Sequence, residues 1–287
     1  MASQIVSVEQ VPPEFLEELG LVGRIPSSHC LAAPQFSYYL YIPRGYRQLD
    51  TLSLIVLVHG SGRNAYQLRE EFVSLAERRG CAVLCPLFPT GLLDPNDTNN
   101  YKMVKYGDVR YDNVVLRMAD ETHMRYPRID TSRFLLWGFS GGGQFVHRFA
   151  YLHPEKLMAL AVGAPGTVTL LDPESEFPGG ISNFAAVFGT EVNLEALKAV
   201  PTLFVAGDAD TGSFHAVARG RTIPAGYRGR YGETQRLEKS WADAGMQCGF
   251  VTVSRAGHEE SKMLPSVKDF FEKRLAEVSD ATDHAML

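Results

Sequence analysis

The chain has 287 residues, 45% of them hydrophobic, and its 28 Lys and Arg against 33 Asp and Glu give a net charge of -5. That content is ample for one substantial core and excludes a chain disordered throughout, while the mild acidity disfavours a broad nucleic-acid surface. Four scattered cysteines, Cys30, Cys81, Cys85 and Cys248, show neither C-x-x-C nor zinc-ligand spacing, so neither a disulfide framework nor a metal site is expected.

From about residue 36 strand-like and helix-like segments alternate, the signature of an α/β fold with a mainly parallel sheet. Phe36 to Ile42 and Leu52 to Val58 are predicted strands, the second a continuous apolar run of the kind buried on both faces. Residues 65–79 carry Leu68, Phe72, Leu75 and Ala76 at helical spacing, and Gly80 stops the helix. Cys81 to Leu84 is the next strand, ending at Pro86. The turn-rich stretch 88–107 is longer than an ordinary connection and is a candidate pocket wall. A helix over roughly 109–126 presents Tyr111, Val114, Val115, Met118 and Thr122 on one face, and Pro127 closes it. A strand through Phe134-Leu135-Leu136 follows. Beyond it come a helix with Phe145, Phe149 and Leu152 on one face and a strand over Leu157 to Val162. Residues 164–200 break this rhythm with interleaved Pro, Gly and Phe, and read as a lid insert over the sheet edge. Thr202 to Ala206 resumes the sheet. A helix with Leu237, Trp241 and Ala244, a strand over Phe250 to Val253 and a terminal helix with Leu264, Val267, Phe271 and Leu275 complete one domain, residues 1–287. Met1 to Gln10 lack a basic start and a long apolar segment, and no later run approaches membrane-spanning length, so a cytoplasmic protein without a membrane partner is expected. The terminal Ala285-Met286-Leu287 shares only its last residue with a peroxisomal signal.

The most informative run is Trp137-Gly138-Phe139-Ser140-Gly141-Gly142-Gly143. Glycines two residues before and after Ser140 allow a strand and a helix to approach closely while the serine takes strained dihedrals and stands exposed at the strand's carboxyl end. A serine hydroxyl at neutral pH needs a base, a group to orient that base, and donors for the oxyanion. His258 follows the last strand and precedes the terminal helix, which places it at the same sheet edge. His29, His123, His153 and His284 lack such an address, and His147 lies two helical turns beyond the serine. Asp210, three residues past Gly207, has room to turn back toward His258. Asp208 fits a turn cap better, and Asp172 in the insert is a further candidate. The order Ser140, Asp210, His258 suits a strand-end triad. Oxyanion donors are expected from the N–H of Gly141 and from His59-Gly60-Ser61-Gly62, with Ser61 favoured and Gly62 next; His59 reads as structural.

From about Tyr38 to Leu275 the chain resembles the α/β-hydrolase superfamily. The H-G-S-G turn, the G-F-S-G-G-G elbow and the small insert are most similar to esterases of the dienelactone hydrolase, feruloyl esterase and polyhydroxyalkanoate depolymerase grouping. Dienelactone hydrolases use cysteine where this chain has Ser140, and secreted depolymerases carry signal peptides, so the resemblance implies an intracellular serine esterase or lactonase. It implies Ser140 as nucleophile, Asp210 as acid, His258 as base and Ser61 in the oxyanion turn. The expected partner is a small-molecule ester or lactone, with no cofactor and no nucleic acid. A lyase, retro-Claisen or acyl-transfer enzyme, or a binding protein with a silent triad, would use the same scaffold. Between residues 211 and 236, Arg219, Arg221, Arg228, Arg230 and Arg236, with Tyr227 and Tyr231, either grip a substrate anion or form a solvated loop. The insert's aromatics and Phe139 suggest an apolar acyl site.

Overall fold

The computed structural model describes residues 5–212 and 227–285, with side chains as far as Glu277. Long apolar runs become the middle of a sheet whose strands are β1 (Gly23–Arg24), β2 (Ser28–Cys30), β3 (Ala33–Ile42), β4 (Leu52–Val58), β5 (Ala82–Leu87), β8 (Ile129–Phe139), β9 (Leu157–Gly163), β10 (Thr202–Gly207) and β11 (Cys248–Val253). A separate hairpin pairs β6 (Lys105–Tyr106) with β7 (Val109–Arg110). The large sheet runs β1-β3-β5-β4-β8-β9-β10-β11, with β2 also on β3. From β5 to β11 every pairing is parallel, whereas β3 joins antiparallel to β5. All parallel strands therefore deliver their carboxyl ends to one edge.

The helices are α1 (Ala65–Arg79), α2 (Tyr111–Arg125), α3 (Gly141–Leu152), α4 (Phe184–Phe188), α5 (Leu194–Lys198), α6 (Gly229–Asp243) and α7 (Glu260–Ala285). They divide the core into two apolar layers. On one face Leu54, Val56, Leu136 and Phe204 of the sheet meet Val115, Phe145, Phe149 and Trp241 from α2, α3 and α6. On the other Ile55, Leu57, Leu135 and Val205 meet Phe72, Leu75, Val267 and Phe271 from α1 and α7. The alternation of β4 and β8 residues between the layers is the period of two expected of strands covered on both sides.

Three departures from the sequence reading have physical causes. β5 continues through Pro86 because its pairing with β4 stops at Leu84, beyond which only β3 flanks it, and a residue without an N–H is tolerated there. β1 and β2 are too short to show a period, yet they cover the outer edge of β3. Helix α3 is not amphipathic, since all twelve of its residues are buried. Its second side is covered by residues 164–200. Thr167 Oγ1 donates to Gln144 Oε1 at 2.7 Å, the Tyr151 hydroxyl donates to Thr169 O at 2.6 Å, and Arg148 Nε donates to Thr169 Oγ1 at 2.8 Å.

The α3 helix comes so close to β4 that a Cβ on Gly142 would be driven into the Val58 and His59 carbonyl oxygens. Gly142→Ala is expected to lower stability by about 3 kcal/mol or prevent folding, whereas Gly62→Ala, where a Cβ meets nothing within 4 Å, should change stability by less than about 0.5 kcal/mol. Urea unfolding of the two variants checks this, and equal midpoints would contradict the packing argument.

Candidate active site

Ser140 sits between β8 and α3 with φ 55 and ψ -109, a conformation that costs a residue with a side chain of order 1–3 kcal/mol. The surroundings hold it there: its N–H donates to Gly163 O at 2.8 Å and its carbonyl accepts from Gln144 N at 3.0 Å. Its hydroxyl lies 2.9 Å from His258 Nε2, and His258 Nδ1 lies 2.7 Å from Asp210 Oδ2. A carboxylate only accepts, so Nδ1 carries the imidazole proton and Nε2 is left to accept from the serine. Phe139 stacks on the imidazole at 4.5 Å between ring centroids, fixing the ring plane. Asp210 is 5% exposed and sits just past β10, and its Oδ1 receives Arg230 from α6 at 3.4 Å. The shorter His258 contact is the stronger of the two.

The other candidate carboxylates lie elsewhere. Asp208 Oδ1 accepts from the Arg255 N–H at 2.7 Å, so it caps not its own turn but the turn leading to His258. Asp172 accepts from Glu174 N at 3.0 Å and Ser175 Oγ at 2.5 Å, closing a loop within residues 164–200. The His258 segment is tied down from the far side as well: Asn64, ahead of α1, donates to Glu260 Oε2 at 3.1 Å. Burial is the largest influence on the Glu260 carboxyl and raises its pKa.

The structure brings Gly141 and the Ser61 turn together. A Cβ on Gly141 would meet Ser61 N at 3.3 Å, the Tyr101 hydroxyl at 2.6 Å and Lys102 Cε at 2.9 Å, so only glycine leaves room beside the two backbone amides. Arg63, with φ 54, locks this turn to the 88–107 segment by donating to Ser61 O at 2.9 Å, Phe88 O at 2.8 Å and Thr98 O at 3.3 Å. The cleft above Ser140, about 830 Å³, is lined by Gly60 to Gly62, Asn64, Thr98, Asn99, Lys102, Phe139, Arg230, His258 and Glu260.

The aromatics expected to form an apolar acyl site reach this lining only in part. Of the aromatics weighed, Phe139 faces the cleft, while Phe177, Phe184 and Phe188 pack on one another at 4.6–6.3 Å between centroids, against the main core. Polar side chains from the 88–107 segment stand in the cleft instead. Nothing in the periodicity marks Lys102 or Asn99, because both residue types are common in exposed loops. The arginine-rich segment divides. Arg230 reaches Asp210 and the cleft, Arg236 pairs with Glu233 at 2.6 Å, and the Tyr231 hydroxyl meets Thr252 Oγ1 at 2.9 Å. Arg219 and Arg221 lie outside the described residues, as do the first four residues, Met286 and Leu287.

No family model and no curated protein sequence matches the chain. In three dimensions it is similar to LpqC, a poly(3-hydroxybutyrate) depolymerase from Bordetella parapertussis, with 22% identity, a TM-score of 0.69 and coverage of 92% of this chain and 94% of that one. The chain has the α/β-hydrolase fold. Poly(aspartic acid) hydrolase-1 from Sphingomonas sp. KT-1 shares it at 19% identity and a TM-score of 0.64, over 82% and 92% of the two chains. An S-formylglutathione hydrolase from Agrobacterium tumefaciens shares it at 16% identity and 0.56, over 84% and 89%. Within this α/β-hydrolase scaffold, the described residues contain no group of three or more His, Cys, Asp or Glu side chains that could hold a metal ion, and no helix long and apolar enough to cross a membrane.

Two further histidines brace the site from inside the α/β-hydrolase core. The Phe88 N–H donates to His59 Nε2 at 3.0 Å, leaving the Nδ1 proton to Gly60 O at 2.8 Å. The Thr169 N–H donates to His147 Nε2 at 3.1 Å, with Nδ1 to Gly143 O at 2.7 Å. Both rings are bound as neutral acceptors. Burial holds His59 down at about 4 and His147 well below its ordinary value of 6.5. Below pH 6.5 the unfolded chain takes up protons that the folded rings refuse, so this stabilisation is complete above about pH 6.5 and is lost as pH falls toward 4. His59 alone would withdraw roughly 3 kcal/mol by pH 4. Urea midpoints should fall steadily from pH 6.5 to 4.5, with a shallower slope in His59→Gln. A flat midpoint across that interval would contradict the assignment.

Proposed function

We propose that the protein is a serine-dependent hydrolase of small carboxylic esters or lactones. The observation that carries this reading is the continuous pair of hydrogen bonds from Ser140 through His258 to Asp210, 2.9 and 2.7 Å long, opening onto a cleft beside two backbone amides. The esterases and hydrolases among its structural relatives support the reaction class.

Ser140 Oγ attacks the carbonyl carbon as His258 Nε2 takes the hydroxyl proton, and Asp210 stabilises the imidazolium through Nδ1–H. Charge that develops on the carbonyl oxygen is met by the N–H groups of Gly141 and Ser61, the first at the amino end of α3, where the helix dipole favours an anion. Each such donor is worth about 3 kcal/mol in the transition state. His258 then gives its proton to the leaving alcohol. Water, activated by the same imidazole, releases the acid and restores the serine. In a lactone, alcohol and acid remain on one molecule. The cleft is large enough for a small substrate, since pockets for drug-sized ligands measure about 300–1,000 Å³.

Ser140→Ala should lower kcat by about 10⁴-fold or more and abolish labelling by a fluorophosphonate. Asp210→Asn should lower kcat by about 10⁴-fold by imposing the wrong imidazole tautomer. Steady-state kinetics on a panel of short esters and lactones measures both. Wild-type turnover in Ser140→Ala would end the proposal. Hydrolysis in isotopically labelled water must place one solvent oxygen in the acid; absence of that oxygen would indicate transfer or cleavage chemistry on the same scaffold.

A further inference from the structure

Helix α1 starts from Asn64, a residue type favoured at a helix start because its side-chain oxygen can receive a free backbone N–H of the first turn. Asn64 makes no such side-chain cap. Its amide turns toward the catalytic cleft, where Nδ2 donates to Glu260 Oε2 at 3.1 Å. Glu260, the first residue of α7, lines the same cleft two residues beyond His258. Its Oε1 is sealed from solvent, and the indole N–H of the fully buried Trp137 acts on the carboxyl from the core. Oε2 is therefore the oxygen that borders the cleft. A carboxylate oxygen has two acceptor sites, of which Asn64 fills one. On Asn64 itself, the second amide N–H and Oδ1 have no partner among the described residues.

The pair stands on the leaving-group side of the proposed reaction. His258 Nε2 hands its proton to the alcohol oxygen, so the alcohol extends from the imidazole while the acyl oxygen occupies the Gly141 and Ser61 amides. Glu260 belongs to the segment that carries this base, and Asn64 follows the Ser61 turn by three residues. Together they offer one donor beside two acceptors. A hydroxyl suits both, donating to Glu260 Oε2 or Asn64 Oδ1 and accepting from the Asn64 amide. An anion would meet the Glu260 carboxyl, and an ammonium would share the cleft with Lys102, Arg230 and the imidazolium formed during turnover. A wholly apolar alcohol would strip water from these groups and give them no partner in return.

We propose that Asn64 and Glu260 select esters whose alcohol carries a second hydroxyl on the neighbouring carbon, as in monoesters of vicinal diols. This rests on the ester-hydrolase reading and deepens it by naming the class of alcohol released. The hydrogen bond between the two side chains holds them in place before the substrate arrives. Both are specificity residues, acting on the substituent of the leaving alcohol and not on the reacting atoms.

The test uses the full-length protein and an isosteric pair, 2-hydroxyethyl acetate against propyl acetate, with the matching butyrates as a second pair. Acid release is followed, and each rate is divided by that ester's rate of hydrolysis by hydroxide. Wild type should favour the hydroxyl-bearing member in kcat/KM by about tenfold, the worth of a hydrogen bond made to such a group. Asn64→Ala, which removes no helix cap, should cut this ratio at least about fivefold, chiefly through the hydroxyl-bearing ester. Glu260→Gln, which keeps the shape of the side chain, should also lower it. Equal losses on both members in the two variants would overturn the proposal, because they would assign the pair to holding the His258 segment in place. A wild-type ratio of one or less overturns it whether or not either variant folds. Turnover of the esters without preference for the diol monoesters defeats the selectivity alone; turnover of no ester at all defeats the hydrolase reading and this inference with it.

Discussion

The structure depends on the contact between α3 and the ends of β4, β8 and β9. With Gly142 against the Val58 carbonyl, and the Ser140 N–H bonded to Gly163 O, the chain has no room to leave β8 by an ordinary turn. It must enter α3 through a left-handed residue, and that residue is Ser140. The strain is sustained because α3 is buried on every side, so relaxing the turn would unpack a whole helix. The same geometry puts the serine hydroxyl and the Gly141 amide at the sheet edge to which the loops after β10 and β11 bring Asp210 and His258.

Buried polar groups transmit this fixed position to the loops. Arg148, fully buried on α3, reaches Lys102 O in the 88–107 segment and Thr167 and Thr169 in the 164–200 segment, and His147 adds a bond to the Thr169 N–H. His59 and Arg63 do the equivalent from the turn after β4, holding Phe88 and the Ser61 turn together. Each group meets backbone atoms that would otherwise be buried without partners. Both walls of the cleft are thus referenced to α3.

Much of this was legible in the residues. Leu52–Val58 and Ala65–Arg79 were read with their observed limits, because a continuous apolar run and a 3.6-residue period ending in glycine have few alternatives. A parallel sheet converts chain order into spatial adjacency, so strand ends were enough to indicate that Ser140, Asp210 and His258 would meet. β1 and β2 escaped notice because two or three residues carry no period. The insert's aromatics do not line the cleft because Phe177, Phe184 and Phe188 fill the core over α3, and sequence does not say which way a loop aromatic turns. Lys102 and Glu260 carry no sequence signal for a related reason: which polar side chains line a cleft is decided by surroundings that come from segments distant in sequence.

Under the proposed function the Ser140 hydroxyl becomes covalently acylated during turnover. Rapid acid quenching of the protein during turnover of an activated ester, followed by intact-mass measurement and peptide mapping, tests it directly. The expected result is one added acyl group, mapped to Ser140, that forms in a burst and decays at the steady-state rate. Turnover without any adduct, or an adduct formed at the turnover rate on another residue, would contradict it.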